Sequence, residues 1–203
     1  MTWYSNTFIQ LEKSFSILTI KGIRLLSKKI SLFLRFRKYK VKEEKEKKDF
    51  KDFIVTQKGK EKGIIIRVVY RTHLSSGKVG VQTIRKMKKT MKDALYEKGI
   101  IIGQSFSHSA KNESKRNNIE TINEEVIPSF DVFKHDLVPK HEILDKEGMK
   151  ELQKKYYIAP YMLPQIKSDD PISILIGAKL GDILKITRKS PTAGVHITYK
   201  YVA

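Results

Sequence analysis

From Phe8 onward, apolar positions recur at steps of three and four: Phe8, Leu11, Phe15, Leu18, then Gly22, Leu25, Lys29, Leu32 and Phe36. That spacing keeps one face of an α-helix apolar, so a long first helix is expected, bent near Gly22 or split in two. Ser5 or Asn6 can cap it, because a side-chain oxygen there accepts from the open amides of the first turn. Over residues 38–62 the pattern is lost. Lysines are interrupted by Glu43, Glu44, Glu46, Asp49 and Asp52, leaving Phe50, Phe53, Ile54 and Val55 to bury. A loop with one short strand is expected there. Ile64-Ile65-Ile66-Arg67-Val68-Val69-Tyr70 is a β-branched run suited to a central strand. After a turn at Ser75-Ser76-Gly77, residues 83–97 read as a helix that buries Ile84, Met87, Met91 and Leu95, with Gly99 as its C-cap. Ile100-Ile101-Ile102 is the next strand, and residues 105–123, rich in Ser, Asn, Lys and Glu, read as an exposed loop.

The last third carries sharper punctuation. Phe130 to Phe133 is expected as a strand. Asp145 is placed to cap a helix through Tyr156, with Leu144 and Met149 flanking the cap and Met149, Leu152 and Tyr156 facing the core. Asp170-Pro171 opens a short helix that Gly177 closes. Gly181-Asp182 turns the chain into a strand over Ile183 to Lys189. Val195, Ile197, Tyr199 and Tyr201 then alternate with polar residues in a half-buried final strand. The fold class expected is α/β (α+β): an N-terminal α/β domain over residues 1–128 and a small C-terminal mixed-sheet domain with two short helices over residues 129–203.

Charge divides the chain at nearly the same place. The whole chain carries +19, but residues 131–203 hold 12 basic and 9 acidic side chains, +3 against +16 for the preceding 130. Such an excess suits a partner that is a polyanion. Cysteine is absent, which excludes disulfides, thiolate metal clusters and a Cys nucleophile. Apolar stretches near the start are cut by Glu12, Lys13, Lys21, Arg24 and Lys28 before the roughly 20 residues that a membrane span needs. The first 42 residues, basic and Ser-rich with Glu12 as the one acid, also fit the description of a transit peptide.

Few residues point to catalysis. His135 and His141 flank Pro139, but a zinc site needs three or four ligands and no others are close in sequence, so no metal and no cofactor are expected. No Ser stands beside a base and an orienting third group. Asp49-Phe50-Lys51 matches the Asp-x-Lys element of metal-dependent nucleases, in which a carboxylate holds the cation; in a lysine-rich run the match is weak. On the helix from Thr83, the residues Arg85, Lys88, Lys89 and Lys92 lie off the apolar face, where contacts to phosphates would give affinity without sequence readout.

The C-terminal motifs resemble a known family. His135-Asp136-Leu137-Val138-Pro139-Lys140-His141, Leu163-Pro164-Gln165-Ile166, Asp169-Asp170-Pro171, Ile176-Gly177-Ala178-Lys179-Leu180-Gly181-Asp182 and Lys185-Ile186-Thr187-Arg188-Lys189-Ser190-Pro191-Thr192-Ala193-Gly194 follow one another as in the H subunit of archaeal RNA polymerase and the C-terminal domain of its eukaryotic counterpart, the fifth common subunit of RNA polymerases I, II and III. The resemblance implies a noncatalytic assembly domain docked on the largest polymerase subunit. It makes His135, Leu137, Val138, Pro139, Lys140, His141, Arg188, Lys189 and Ser190 the candidates for docking and fold definition. Asp136 departs from the Glu or Asn usual in the family. Eukaryotic members add an N-terminal jaw near downstream DNA, and Ser107-His108-Ser109-Ala110 is similar to a Thr-Pro-Ser-Ala loop of that jaw, with His108 in place of the proline. His108 and Ser109 therefore join Arg85, Lys88, Lys89 and Lys92 as candidates to face DNA.

These readings lead to a noncatalytic subunit of a DNA-directed RNA polymerase. Its expected partners are the largest subunit, other polymerase subunits and downstream duplex, with no membrane and no small-molecule substrate. A nuclear enzyme is expected, or a cytoplasmic one if a large DNA virus encodes it. The rivals are a free-standing nucleic-acid binder and a metal-dependent nuclease that would rely on Asp49.

Overall fold

The computed structural model describes residues 24–57, 63–70, 77–190 and 194–203. Phe8, Leu11, Phe15, Leu18 and Gly22, the cap at Ser5 or Asn6, Ser75-Ser76 of the turn and Pro191-Thr192-Ala193 lie outside these residues. Helix α1 is described over 24–36 and leads into strands β1 (Tyr39–Glu46), β2 (Phe50–Gln57) and β3 (Ile64–Val69). Helix α2 (Val81–Asp93), strand β4 (Lys98–Gly103), helix α3 (His108–Arg116) and strand β5 (Ile119–Asn123) follow. The five strands form one sheet in the order β1-β2-β3-β4-β5. β1/β2 and β2/β3 are antiparallel, while β3/β4 and β4/β5 are parallel and joined by crossovers through α2 and α3.

The β-branched run at Ile64 is the central strand, and all six of its residues are buried. Being covered on both faces removes any alternation from its sequence. Ile30, Phe33 and Leu34 of α1 cover one face, against Val55, Ile64, Ile66, Ile100 and Ile102. Ile84, Met87 and Met91 of α2, with Ala110 of α3, cover the other against Ile65, Ile101 and Ile119.

Several expectations change. Where a loop with one short strand was expected over 38–62, residues 39–57 form a hairpin of two eight-residue strands, and 58–62 lie outside the described residues. β1 is an edge strand whose residues after Tyr39 are all exposed, so charges occupy both of its faces and erase the period of two. Residues 105–123 hold α3 and β5, not a loop. The buried stripe of α1 is Ile30, Phe33 and Leu34, with Leu25 exposed. It leads to the buried Arg37 instead of running through Lys29. α2 ends at Asp93, and Leu95, expected in the core, sits at a φ of +54° and is 84% exposed. Gly99 is no C-cap: it is buried in β4, where a Cβ would come within 2.6 Å of Met91 Sδ.

The second unit begins with a 3₁₀ turn at Val132–Lys134, where a strand was expected. Strand β6 (Lys140–Ile143), helix α4 (Lys146–Tyr156), strand β7 (Gln165–Ile166), helix α5 (Pro171–Ile176), and strands β8 (Ile183–Ser190) and β9 (Gly194–Val202) follow. The sheet order is β6-β8-β9-β7. Both helix starts match the sequence reading: Asp145 accepts from the Gly148 amide at 2.8 Å, and Asp170 accepts from those of Ile172 and Ser173 at 2.9 and 3.4 Å. Gly177 closes α5 at a φ of +80°. Leu152 of α4 is buried, whereas Tyr156 is half exposed. On β9 the alternation holds but its burial does not, since Val195 and Ile197 are exposed.

The core of this unit is small, built on Leu184, Ile186 and Val202. A larger contribution comes from outside it. Leu175 and Ile174 of α5, with Val132 and Phe133, pack into the core under α1. Arg37 completes the junction: its guanidinium donates to Glu120 on β5 at 2.9 and 2.5 Å and to the Ile174 carbonyl at 2.5 Å. Lys98 of β4 also pairs with Glu120.

Candidate functional site

β6 pairs with β8 so that Lys140 stands opposite Thr187 and His141 opposite Ile186. β8 is twice as long as β6, so Arg188 and Lys189 continue past the start of β6. Before β6 the chain runs over Phe133 to Pro139, while the end of α1 supplies Phe36 and the turn after it supplies Lys38. Together these segments wall a groove of about 740 Å³. Eight of the nine docking candidates line it: His135, Leu137, Val138, Pro139, Lys140, His141, Arg188 and Lys189. The ninth, Ser190, closes β8 opposite Gly194.

The loop is held by its own backbone. The Val138 amide donates to the His135 carbonyl at 2.9 Å, the Leu137 amide donates to His135 Nδ1 at 3.3 Å, and His141 Nδ1 lies 2.8 Å from the Pro139 carbonyl. Leu137 is thereby left 86% exposed at the rim. Phe36 and Phe133 meet edge to face with centroids 4.9 Å apart. Burial lowers the pKa of His141, and the positive charges of Arg188 and Lys200 add to the effect. Lys140 pairs with Glu142 at 2.7 Å and holds its carboxyl below the usual range. Lys38, Lys134, Arg188 and Lys189 have no ion-pair partner among the described residues. Sequence reasoning found the loop and β8 through their ordered motifs. It missed Phe36, Lys38 and Phe133, which only the docking of one unit on the other brings to the groove.

The residues proposed to face DNA lie elsewhere. Arg85, Lys89 and Lys92 are exposed on α2 and Lys88 is half-buried, while His108 and Ser109 are exposed at the start of α3. Ser107 caps α3 by accepting from the Ala110 amide at 3.2 Å, and His108 Nδ1 is 3.3 Å from Asn112 Nδ2. α2 and α3 follow parallel strands and run side by side, so His108 and Ser109 belong to one end of this layer. Lys88 and Lys92 belong to the other, beside Asn117, about 13 Å away along α3. Lys86, Lys111, Lys115 and Arg116 are exposed in the same layer and had not been singled out.

The nuclease element sits at the start of β2. Lys51 turns to Glu44 at 2.8 Å, and the Asp49 carbonyl accepts from the Tyr70 amide at 3.1 Å. Two carboxylates of this unit, the buried Asp52 and the half-buried Glu120, are each engaged by an arginine. Asp52 accepts from Arg67 Nε and Nη2, both at 2.7 Å, and the guanidinium lies 4.0 Å from the Phe50 ring centroid. Burial alone would raise the Glu120 carboxyl, but hydrogen bonds and charge from Arg37 and Lys98 hold it at about 2. Among the described residues no three His, Cys, Asp or Glu side chains gather as a metal site would need.

A family model described as the RNA polymerase Rpb5 C-terminal domain matches residues 130–202. One described as Restriction endonuclease matches residues 25–129. DNA-directed RNA polymerase subunit Rpo5 of Pyrococcus abyssi is 56% identical over 73 residues, which are 36% of this chain and 89% of that protein. The subunit Rpo5 of Sulfolobus acidocaldarius is 54% identical over 73 residues, 36% of this chain and 87% of that one. That of Archaeoglobus fulgidus is 56% identical over 73 residues, 36% and 96% of the two chains. A solved structure of EndoMS in apo form overlaps 42% of this chain and 37% of its own at a TM-score of 0.35 and 12% identity, too loose a likeness to argue from.

Proposed function

Because this chain belongs to the RNA polymerase Rpb5 C-terminal domain family through residues 130–202 and to the restriction endonuclease family through residues 25–129, we propose that it is a noncatalytic subunit of a DNA-directed RNA polymerase. In this reading the C-terminal unit docks on the largest subunit, and the basic layer of α2 and α3 acts as a jaw near downstream DNA. The observation that carries it is the groove, which gathers eight docking candidates from separate motifs onto one surface. The three Rpo5 relatives are almost wholly matched by the C-terminal stretch, and their names are those of polymerase subunits. Copurification is the direct test. A tagged copy in its own cell is expected to bring down the large polymerase subunits, and recovery without them would end the proposal.

The restriction endonuclease match gives the N-terminal unit a second reading, as a nuclease. Against it stand Asp52 and Glu120, each already occupied by a guanidinium, and Lys51, turned away toward Glu44. One assay separates the two. Incubated with plasmid duplex and Mg²⁺ or Mn²⁺, the full chain is expected to bind and leave the DNA uncut. Replacing Arg85, Lys88, Lys89 and Lys92 by Gln is expected to flatten the salt dependence of binding, by about one in log–log slope for each phosphate no longer neutralised. Metal-dependent cleavage that disappears in Asp49→Ala would favour the nuclease.

A further inference from the structure

The groove beside β6 has a chemistry that selects what fills it. Four of its cations, Lys38, Lys134, Arg188 and Lys189, have no ion-pair partner among the described residues, whereas its two acids are Asp136 and a Glu142 already paired with Lys140. Its apolar ground is the Phe36 and Phe133 pair. Its wall is a stepped sheet edge. The Leu144 amide donates to the Ile183 carbonyl, which fixes 144 and 183 as a hydrogen-bonded pair in the β6/β8 register. Alternation then turns the backbone of Lys140 and Glu142 toward β8 and that of His141 outward. The same alternation points the N–H and C=O of Lys189 to the side where β6 would continue, two residues beyond Thr187, which pairs with Lys140 at the start of β6. Neither group has a backbone partner among the described residues. Open strand edges of this kind recruit extended chains.

We propose that this groove binds an extended acidic segment of another polymerase polypeptide, laid along the open backbone of His141 and Lys189 with one apolar side chain over Phe36 and Phe133. The inference rests on the docking reading above and specifies how that docking is made. The negative charges answer the four free cations, and backbone pairing supplies the register. Because Phe36 and Lys38 come from the N-terminal unit, the segment reads both units at once, so the C-terminal unit alone offers only part of the site. A nucleic-acid backbone would satisfy the cations but not the apolar ground or the exposed Leu137, which is why a polypeptide is favoured.

The test uses polymerase purified through the tagged full chain. Zero-length carbodiimide coupling is expected to join Lys38, Lys134 or Lys189 to Asp or Glu side chains of one partner segment. A synthetic peptide of that segment should bind the free full chain, and Lys38→Glu with Lys189→Glu should weaken it by about tenfold. Lysines placed in the peptide should restore binding to that variant. Both sites are exposed, so an unchanged unfolding midpoint shows that the variant folds. Polymerase that contains the chain but yields no such coupling overturns the acidic segment and leaves docking intact. A chain that recovers no polymerase removes both.

Discussion

Arg67→Ala is expected to cost about 3–5 kcal/mol of stability, because it leaves the Asp52 carboxylate charged, buried and unpaired between β2 and β3. The two residues stand opposite each other in the register, and both are nearly inaccessible, at 3% and 6% exposure. Asp52 accepts both of its hydrogen bonds from this one guanidinium. The double variant Asp52→Leu, Arg67→Met removes charge and partner together, and should recover most of the deficit, since an apolar pair of similar size needs no compensation there. Urea unfolding of the three proteins gives the comparison. If Arg67→Ala unfolds at the parent midpoint, the pair is not what closes this part of the sheet.

The second large effect belongs to Glu120 and is read against pH. Its folded pKa is about 2 against an ordinary value of 4.5, a depressed carboxylate. The unfolded chain therefore binds the proton more readily as pH falls. The stabilisation is fully present above about 4.5, and is lost as pH drops toward 2. Its size is on the order of 3 kcal/mol, taken from the shift. Glu120→Gln should lower stability at pH 7 and flatten the acid limb between these two values, so that parent and variant converge near pH 2. Parallel stability curves for the two proteins across that window would show that Arg37 and Lys98 do not hold the carboxylate.

How much of this was legible in the sequence depended on whether local pattern and tertiary environment agreed. The run at Ile64 is apolar on both sides because the strand is covered on both sides, and the caps Asp145, Asp170 and Gly177 act within their own turns, so all were readable. β1 failed in the opposite way. With both faces in water, its Lys and Glu residues carry no period, and cross-strand pairs such as Lys51 with Glu44 replace a hydrophobic signal. The stripe of α1 was misplaced in register: it was carried through Leu25, Lys29, Leu32 and Phe36, whereas Ile30, Phe33, Leu34 and Arg37 are the buried positions. The loop before β6 was singled out by its motifs, whereas the place of Phe36, Lys38 and Phe133 beside it needed the junction between units, which no short stretch of sequence encodes. Val195 and Ile197 show that alternation identifies a strand without saying which face is covered.

The junction at Arg37 also bears on how such a chain can be taken apart. The curated relatives are nearly all C-terminal stretch, so severing this protein after Ser129 would suggest a like piece. Here the cut would strip Leu175 of its neighbours under α1, deprive the Ile174 carbonyl of its donor, and leave a guanidinium and a carboxylate facing solvent on the other fragment. The two families have been welded rather than strung together, and a transplant of either half into another protein must carry its share of the seam.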